Sequence, residues 1–119
     1  MAQLAAASLQ SHGFVYVHIK GPDEPGHDGD ALLKTRILEE IDKHFFARVK
    51  GLGVDIAVTC DHATPCPMKA HSSDPVPLMV RYASRKVAGD ALPFDEAIDG
   101  KGSLGIIDGN AVLDTILKE

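Results

Sequence analysis

A chain of 119 residues with a formal net charge of −5 and two cysteines is large enough to close one core without disulfides. The acidic balance argues against nucleic acid or anionic lipid as the main partner, since both require clustered Lys and Arg. No apolar run approaches the ~20 residues that cross a bilayer, and residues 1–7 lack a basic leader, so the expected setting is the cytoplasm, with no membrane partner.

In chain order, residues 2–11 are Ala-rich and end in Ser11-His12-Gly13, which predicts a short helix with a C-terminal stop. Residues 14–19 are β-branched or aromatic and almost continuously apolar, the pattern of a strand buried on both faces. Residues 20–29 contain Gly21, Pro22, Pro25 and Gly26 and read as a loop. Asp30 is placed to cap a helix running to about Lys50, on which Leu33, Ile37, Ile41, Phe45 and Val49 form one apolar face. Residues 55–60 predict a second buried strand, and 61–75 a loop in which Pro65, Pro67 and Pro75 rule out a helix. Residues 78–80 predict a third strand and 86–88 a fourth, with a helical turn at 94–98. Residues 104–107 predict a short strand or turn, and Asn110 a cap for a last helix ending at Lys118. The order predicts an α/β fold, a sheet flanked by helices, in one compact unit.

The chemistry concentrates in histidines and aspartates that follow predicted strands. His12 at a helix end, His44 on a charged helix face and His18 within a strand are expected to be structural. Asp23 and His27 lie in the loop after the first strand, while Asp61, His62 and His71 lie in the loop after the second. In an open α/β sheet, ligands bind beyond the carboxyl ends of the strands, so all five are expected at one edge. Imidazole and carboxylate together suit zinc, manganese or iron, and the mixed donor set argues against calcium. Five donors exceed one tetrahedral shell and point to two ions.

Other patterns carry less. Gly100-Lys101-Gly102-Ser103-Leu104-Gly105 fits GxGxxG without the βαβ unit that gives it meaning. Cys60, at the end of a buried strand, is expected to pack. Ser72, Ser73 and Asp74 adjoin His71, but neighbours in an extended loop point apart and do not build a triad.

Three runs carry a family resemblance: KGPDEPGHDGD at 20–30, CDHATPCPMKAHSSDPVP at 60–77 and GSLGIIDG at 102–109. Together they resemble the cofactor-independent, metal-dependent phosphoglycerate mutases of archaeal type, within the alkaline phosphatase superfamily. The resemblance implies a phosphatase-like sheet and two divalent ions, manganese or zinc. It assigns Asp23, His27 and His71 to one ion and Asp61 and His62 to part of the other. It implies interconversion of 3-phosphoglycerate and 2-phosphoglycerate through a phosphoserine. Neither Ser8 nor Ser11 maps onto that family's nucleophile. The chain therefore reads as residues 1–119 of a C-terminal metal-binding portion, with at most one complete site and no turnover alone. A truncated sheet would expose edges and apolar helix faces, so self-association is expected. Two alternatives remain: a fragment of another phosphatase of that superfamily, and a non-catalytic metal-binding or assembly module.

Overall fold

A computed structural model of the protein describes residues 1–85, 89–95, 98 and 100–117. The chain divides into two compact units, one made of residues 1–53 and 64–72, the other of 54–63 and 73–119.

The first unit is helical. Helix α1 (Ala2–Ser8) forms from a run rich in the best helix former, and His12 closes it with Nδ1 at 3.0 Å from the Ser8 carbonyl oxygen. Beyond it the chain is extended but, among the described residues, no strand pairs with it. Val15, Val17 and Ile19 are half-buried, whereas Phe14, Tyr16 and His18 are exposed. The expected strand buried on both faces is thus corrected to an unpaired segment with one covered side. Burial on both faces needs neighbouring strands and a layer on each side, neither of which the described residues supply. His18 is accordingly not packed, and its Nδ1 lies 3.3 Å from the Tyr16 hydroxyl.

The expected loop at 20–29 contains a short helix instead, α2 (Asp23–Asp28). Proline and glycine, read as breakers, here stand where a helix tolerates them. Pro25 lies in the first turn, where its missing N–H has no intrahelical partner to lose. Gly29 ends the helix at φ 79°, a left-handed conformation that favours glycine. Asp23 and Glu24 in the first turn complement the helix dipole. The chain then turns at once into helix α3 (Ala31–Ile41), whose Asp30 cap accepts from the Leu33 N–H at 2.9 Å, as the sequence predicts.

That helix continues through a π-helical turn (Asp42–Phe46) into α4 (Ala47–Val49). The wider turn has a physical reason. Residues four apart drift by about 40° per step on an ideal α-helix, so the row from Leu33 to Val49 would wind off its face. A π turn takes up part of the drift. The row grades from exposed Leu33 through half-buried Ile37, Ile41 and Phe45 to buried Val49. Helix α1 packs on the π turn and α4, with Ala2, Ala5 and Val49 as the buried apolar core of this unit.

The second unit holds strands β1 (Ile56–Val58) and β2 (Met79–Arg81), paired antiparallel with Ile56 opposite Arg81 and Val58 opposite Met79. The Asp55 carboxylate accepts from the Ala83 N–H at 2.7 Å, and the Thr59 hydroxyl donates to the Pro77 carbonyl at 3.0 Å, so both ends of the ribbon are tied. A 3-10 turn (Gly109–Ala111) leads into α5 (Val112–Leu117), while residues 102–105 form a turn. The strand expected at 86–88 and the middle of the turn expected at 94–98 fall outside the described residues, as does Lys118.

The predicted fold class is therefore corrected. Helices dominate, and the described strands form one two-stranded antiparallel ribbon in place of a sheet flanked by helices. Parallel pairing requires a crossover, usually a helix. The connection from 59 to 78 carries four prolines and no helix, and β2 runs back along β1. Cys60 is exposed where burial was expected, because β1 ends at Val58 and Cys60 lies two residues beyond the paired strand.

Candidate metal centre

Helix α2 turns a sequence spacing into a shared surface. Asp23 and His27 are four residues apart, so both side chains leave the same helix face. His71 reaches that face from the connection that begins at Thr64. The three ligand atoms form a triangle: His27 Nε2 to His71 Nε2 is 3.1 Å, His27 Nε2 to Asp23 Oδ1 is 3.4 Å, and His71 Nε2 to Asp23 Oδ1 is 3.6 Å. With metal–ligand bonds of about 2.0–2.1 Å, tetrahedral ligand atoms stand about 3.3 Å from one another. The donors fit a divalent cation in both chemistry and spacing.

Two of the three donors are held by further contacts. His27 Nδ1 lies 3.2 Å from the Lys69 carbonyl oxygen, which can only accept. A neutral His27 in this position carries its proton on Nδ1 and turns the Nε2 lone pair toward Asp23 and His71. Lys69 carries that carbonyl at φ 53°, a left-handed conformation uncommon for a residue with a Cβ. Asp23 Oδ1 accepts a 2.9 Å hydrogen bond from the hydroxyl of Thr64, which is only 5% exposed. The Thr64 carbonyl accepts in turn from Lys34 Nζ at 2.8 Å. Pro25 is fully buried.

The triangle opens onto a depression of about 520 Å³ lined by Lys20, Asp23, Glu24, His27, Asp28 and His71. The ligands grade outward, with Asp23 20% exposed, His27 42% and His71 52%. A site of this kind is reached by an ion from solvent without opening the core.

Of the five residues singled out in the sequence, Asp23, His27 and His71 are brought together, and they are the one group of three His, Cys, Asp or Glu side chains among the described residues with ligand atoms within 4.8 Å of one another. Asp61 and His62 belong to the second unit, where His62 Nε2 lies 3.4 Å from Asp61 Oδ2. Cys66 stands apart from the ligands, with its thiol 4.0 Å from the Pro25 carbonyl oxygen. Sequence reasoning missed the helix under Asp23 and His27, as well as Thr64 and the Lys69 carbonyl. The helix had a legible signal in its acidic first turn and Gly29; the other two are tertiary contacts between distant residues.

A family model described as the metalloenzyme superfamily matches residues 1–119. A 2,3-bisphosphoglycerate-independent phosphoglycerate mutase of Aeropyrum pernix is 49% identical over 114 residues, covering 91% of this chain and 26% of that protein. A counterpart from Methanocaldococcus jannaschii is 37% identical over 119 residues, covering 98% of this chain and 29% of its own length. A solved structure of a protein from Pyrococcus horikoshii matches with a TM-score of 0.89 and 34% identity, over 98% of this chain and 36% of that one. The chain thus spans a little over a quarter of the length of these curated relatives. With the family model matching from end to end, the chain belongs to the metalloenzyme superfamily and is homologous to the 2,3-bisphosphoglycerate-independent phosphoglycerate mutases.

Proposed function

We propose that this chain is a metal-binding module in which Asp23, His27 and His71 hold one divalent cation, manganese or zinc. The observation that carries the reading is the triangle of ligand atoms, whose edges of 3.1, 3.4 and 3.6 Å match the spacing such an ion imposes. The residues divide the work. Asp23 supplies the negative charge, His27 presents a lone pair whose direction the Lys69 carbonyl sets, and His71 completes a three-donor face open to solvent. A cation held by these three residues would supply Lewis-acid charge for phosphoryl chemistry.

The relatives favour a second, wider reading. In a full-length protein, this centre serves the interconversion of 3-phosphoglycerate and 2-phosphoglycerate through a phosphoserine, with Asp61 and His62 contributing to a second ion. Neither Ser8 nor Ser11 matches the nucleophile that the resemblance implies, so the isolated 119 residues are expected to bind metal without mutase turnover.

Calorimetric titration of the metal-stripped chain with Mn²⁺ and Zn²⁺, beside His71→Ala, tests the first reading. Saturable one-site binding that the variant loses is the expected result. Absence of binding in the unaltered chain rejects it. Measurable interconversion of the phosphoglycerates by the isolated chain rejects the claim that turnover needs more than these residues.

A further inference from the structure

We infer that Thr64 is a positioning residue for the metal centre, its hydroxyl setting the orientation of Asp23 and hence the affinity for the cation. The inference rests on the metal-binding reading above and extends it to a residue that is not itself a ligand.

Asp23 Oδ1, the oxygen facing both histidine Nε2 atoms, is also the oxygen that accepts from the Thr64 hydroxyl at 2.9 Å. A carboxylate on a short helix has rotational freedom about its side-chain bonds. One fixed donor from an independent segment removes much of it. Thr64 can act as that donor because it is itself immobilised on three counts. It is 5% exposed, and its carbonyl is held at 2.8 Å by Lys34 Nζ from α3. Its backbone and methyl lie against Gly26, where a built Cβ would stand 2.7 Å from the Thr64 carbonyl oxygen and 2.9 Å from Cγ2. Gly26 lies between the two ligands, three residues after Asp23 and immediately before His27, so the absent side chain lets Thr64 pack closely against the helix that bears both.

Burial also makes the hydroxyl exacting. A buried O–H must donate somewhere, and here it has a carboxylate, the stronger kind of acceptor. Removing the hydroxyl leaves Asp23 with one fewer constraint while keeping every ligand atom in the chain.

Mn²⁺ affinity of Thr64→Val, Thr64→Ser and the unaltered chain, measured by calorimetry with melting curves of the metal-free proteins, tests the proposal. Valine keeps the shape and loses the donor; its affinity is expected to fall by about 10–100-fold, the range typical of outer-shell partners. Serine keeps the donor and is expected to bind within a few-fold of the unaltered chain. Equal affinity in the valine variant overturns the proposal, as does equal weakening in valine and serine, which would make packing the cause. Should the valine variant fail to melt cooperatively, Thr64→Ala replaces it, with the same serine rescue deciding. If the unaltered chain binds no Mn²⁺, the metal reading falls and this inference with it; if it binds and Thr64→Val binds equally, only this inference falls.

Discussion

Single residues decide whether the ligands meet. Asp23, His27 and His71 were legible as donors because imidazole and carboxylate in glycine-rich loops are the common chemistry of metal sites. The residues that hold them were not, because Thr64 and Lys69 act through a hydroxyl and a backbone carbonyl across more than 40 positions. Gly26 shows how opposing effects are weighed at this scale. Alanine in a helix gains ~0.5–1 kcal/mol over glycine. At Gly26 the new Cβ would come within 2.7 Å of the Thr64 carbonyl oxygen, a backbone atom that cannot swing away. Overpacking of this kind costs about 1–3 kcal/mol, so it wins. Gly26→Ala is expected to lower the urea midpoint, and an unchanged or higher midpoint would show that the loop at 64 yields freely.

At the scale of elements, the helices were read by capping and periodicity, and the strands by composition alone. Asp30 works as predicted, its carboxylate accepting from the Leu33 N–H at the start of α3. Asp30→Ala is expected to cost about 1 kcal/mol, with Asp30→Asn retaining most of it, as judged by thermal melts. Because only Gly29 separates α2 from Asp30, whose N–H also donates to the Pro25 carbonyl at 2.9 Å, the alanine variant should also loosen the face that carries His27. The strands failed for a different reason. A continuous apolar run reports that a segment dislikes water, but not which neighbours will cover it. Residues 14–19 remain unpaired among the described residues, and residues 56–58 find an antiparallel partner instead of a parallel one.

At the scale of the whole molecule, the proposed ion binding would be linked to folding. A ligand that binds the folded chain alone stabilises it by ~2.7 kcal/mol at one hundred times its dissociation constant. Mn²⁺ is therefore expected to raise the melting temperature of the unaltered chain, with a chelator reversing the rise and His71→Ala showing neither effect. The extended segment bearing Phe14 and Tyr16, 50% and 72% exposed, presents apolar side chains and backbone without a strand partner among the described residues. Such an edge invites pairing with another chain. Light scattering is expected to give a concentration-dependent mass above the 12.7 kDa of the single chain, reduced in Tyr16→Lys. A constant mass of one chain would show that the segment is protected.

The amino-acid sequence by itself determined what local chemistry can settle: the Asp30 cap, the long helix, the absence of any helix long and apolar enough to cross a membrane among the described residues, and which side chains offer donor atoms of the kind a metal takes. These follow from neighbours a few positions apart or from side-chain type. Tertiary structure alone decided that three of the five donors form one triangle, that Thr64 and Lys69 hold it, and that the apolar runs form a two-stranded ribbon and an open edge. Those outcomes depend on which distant segments come to lie side by side. Period and composition along one chain record how strongly each segment seeks cover, and the folded backbone alone says where it is found.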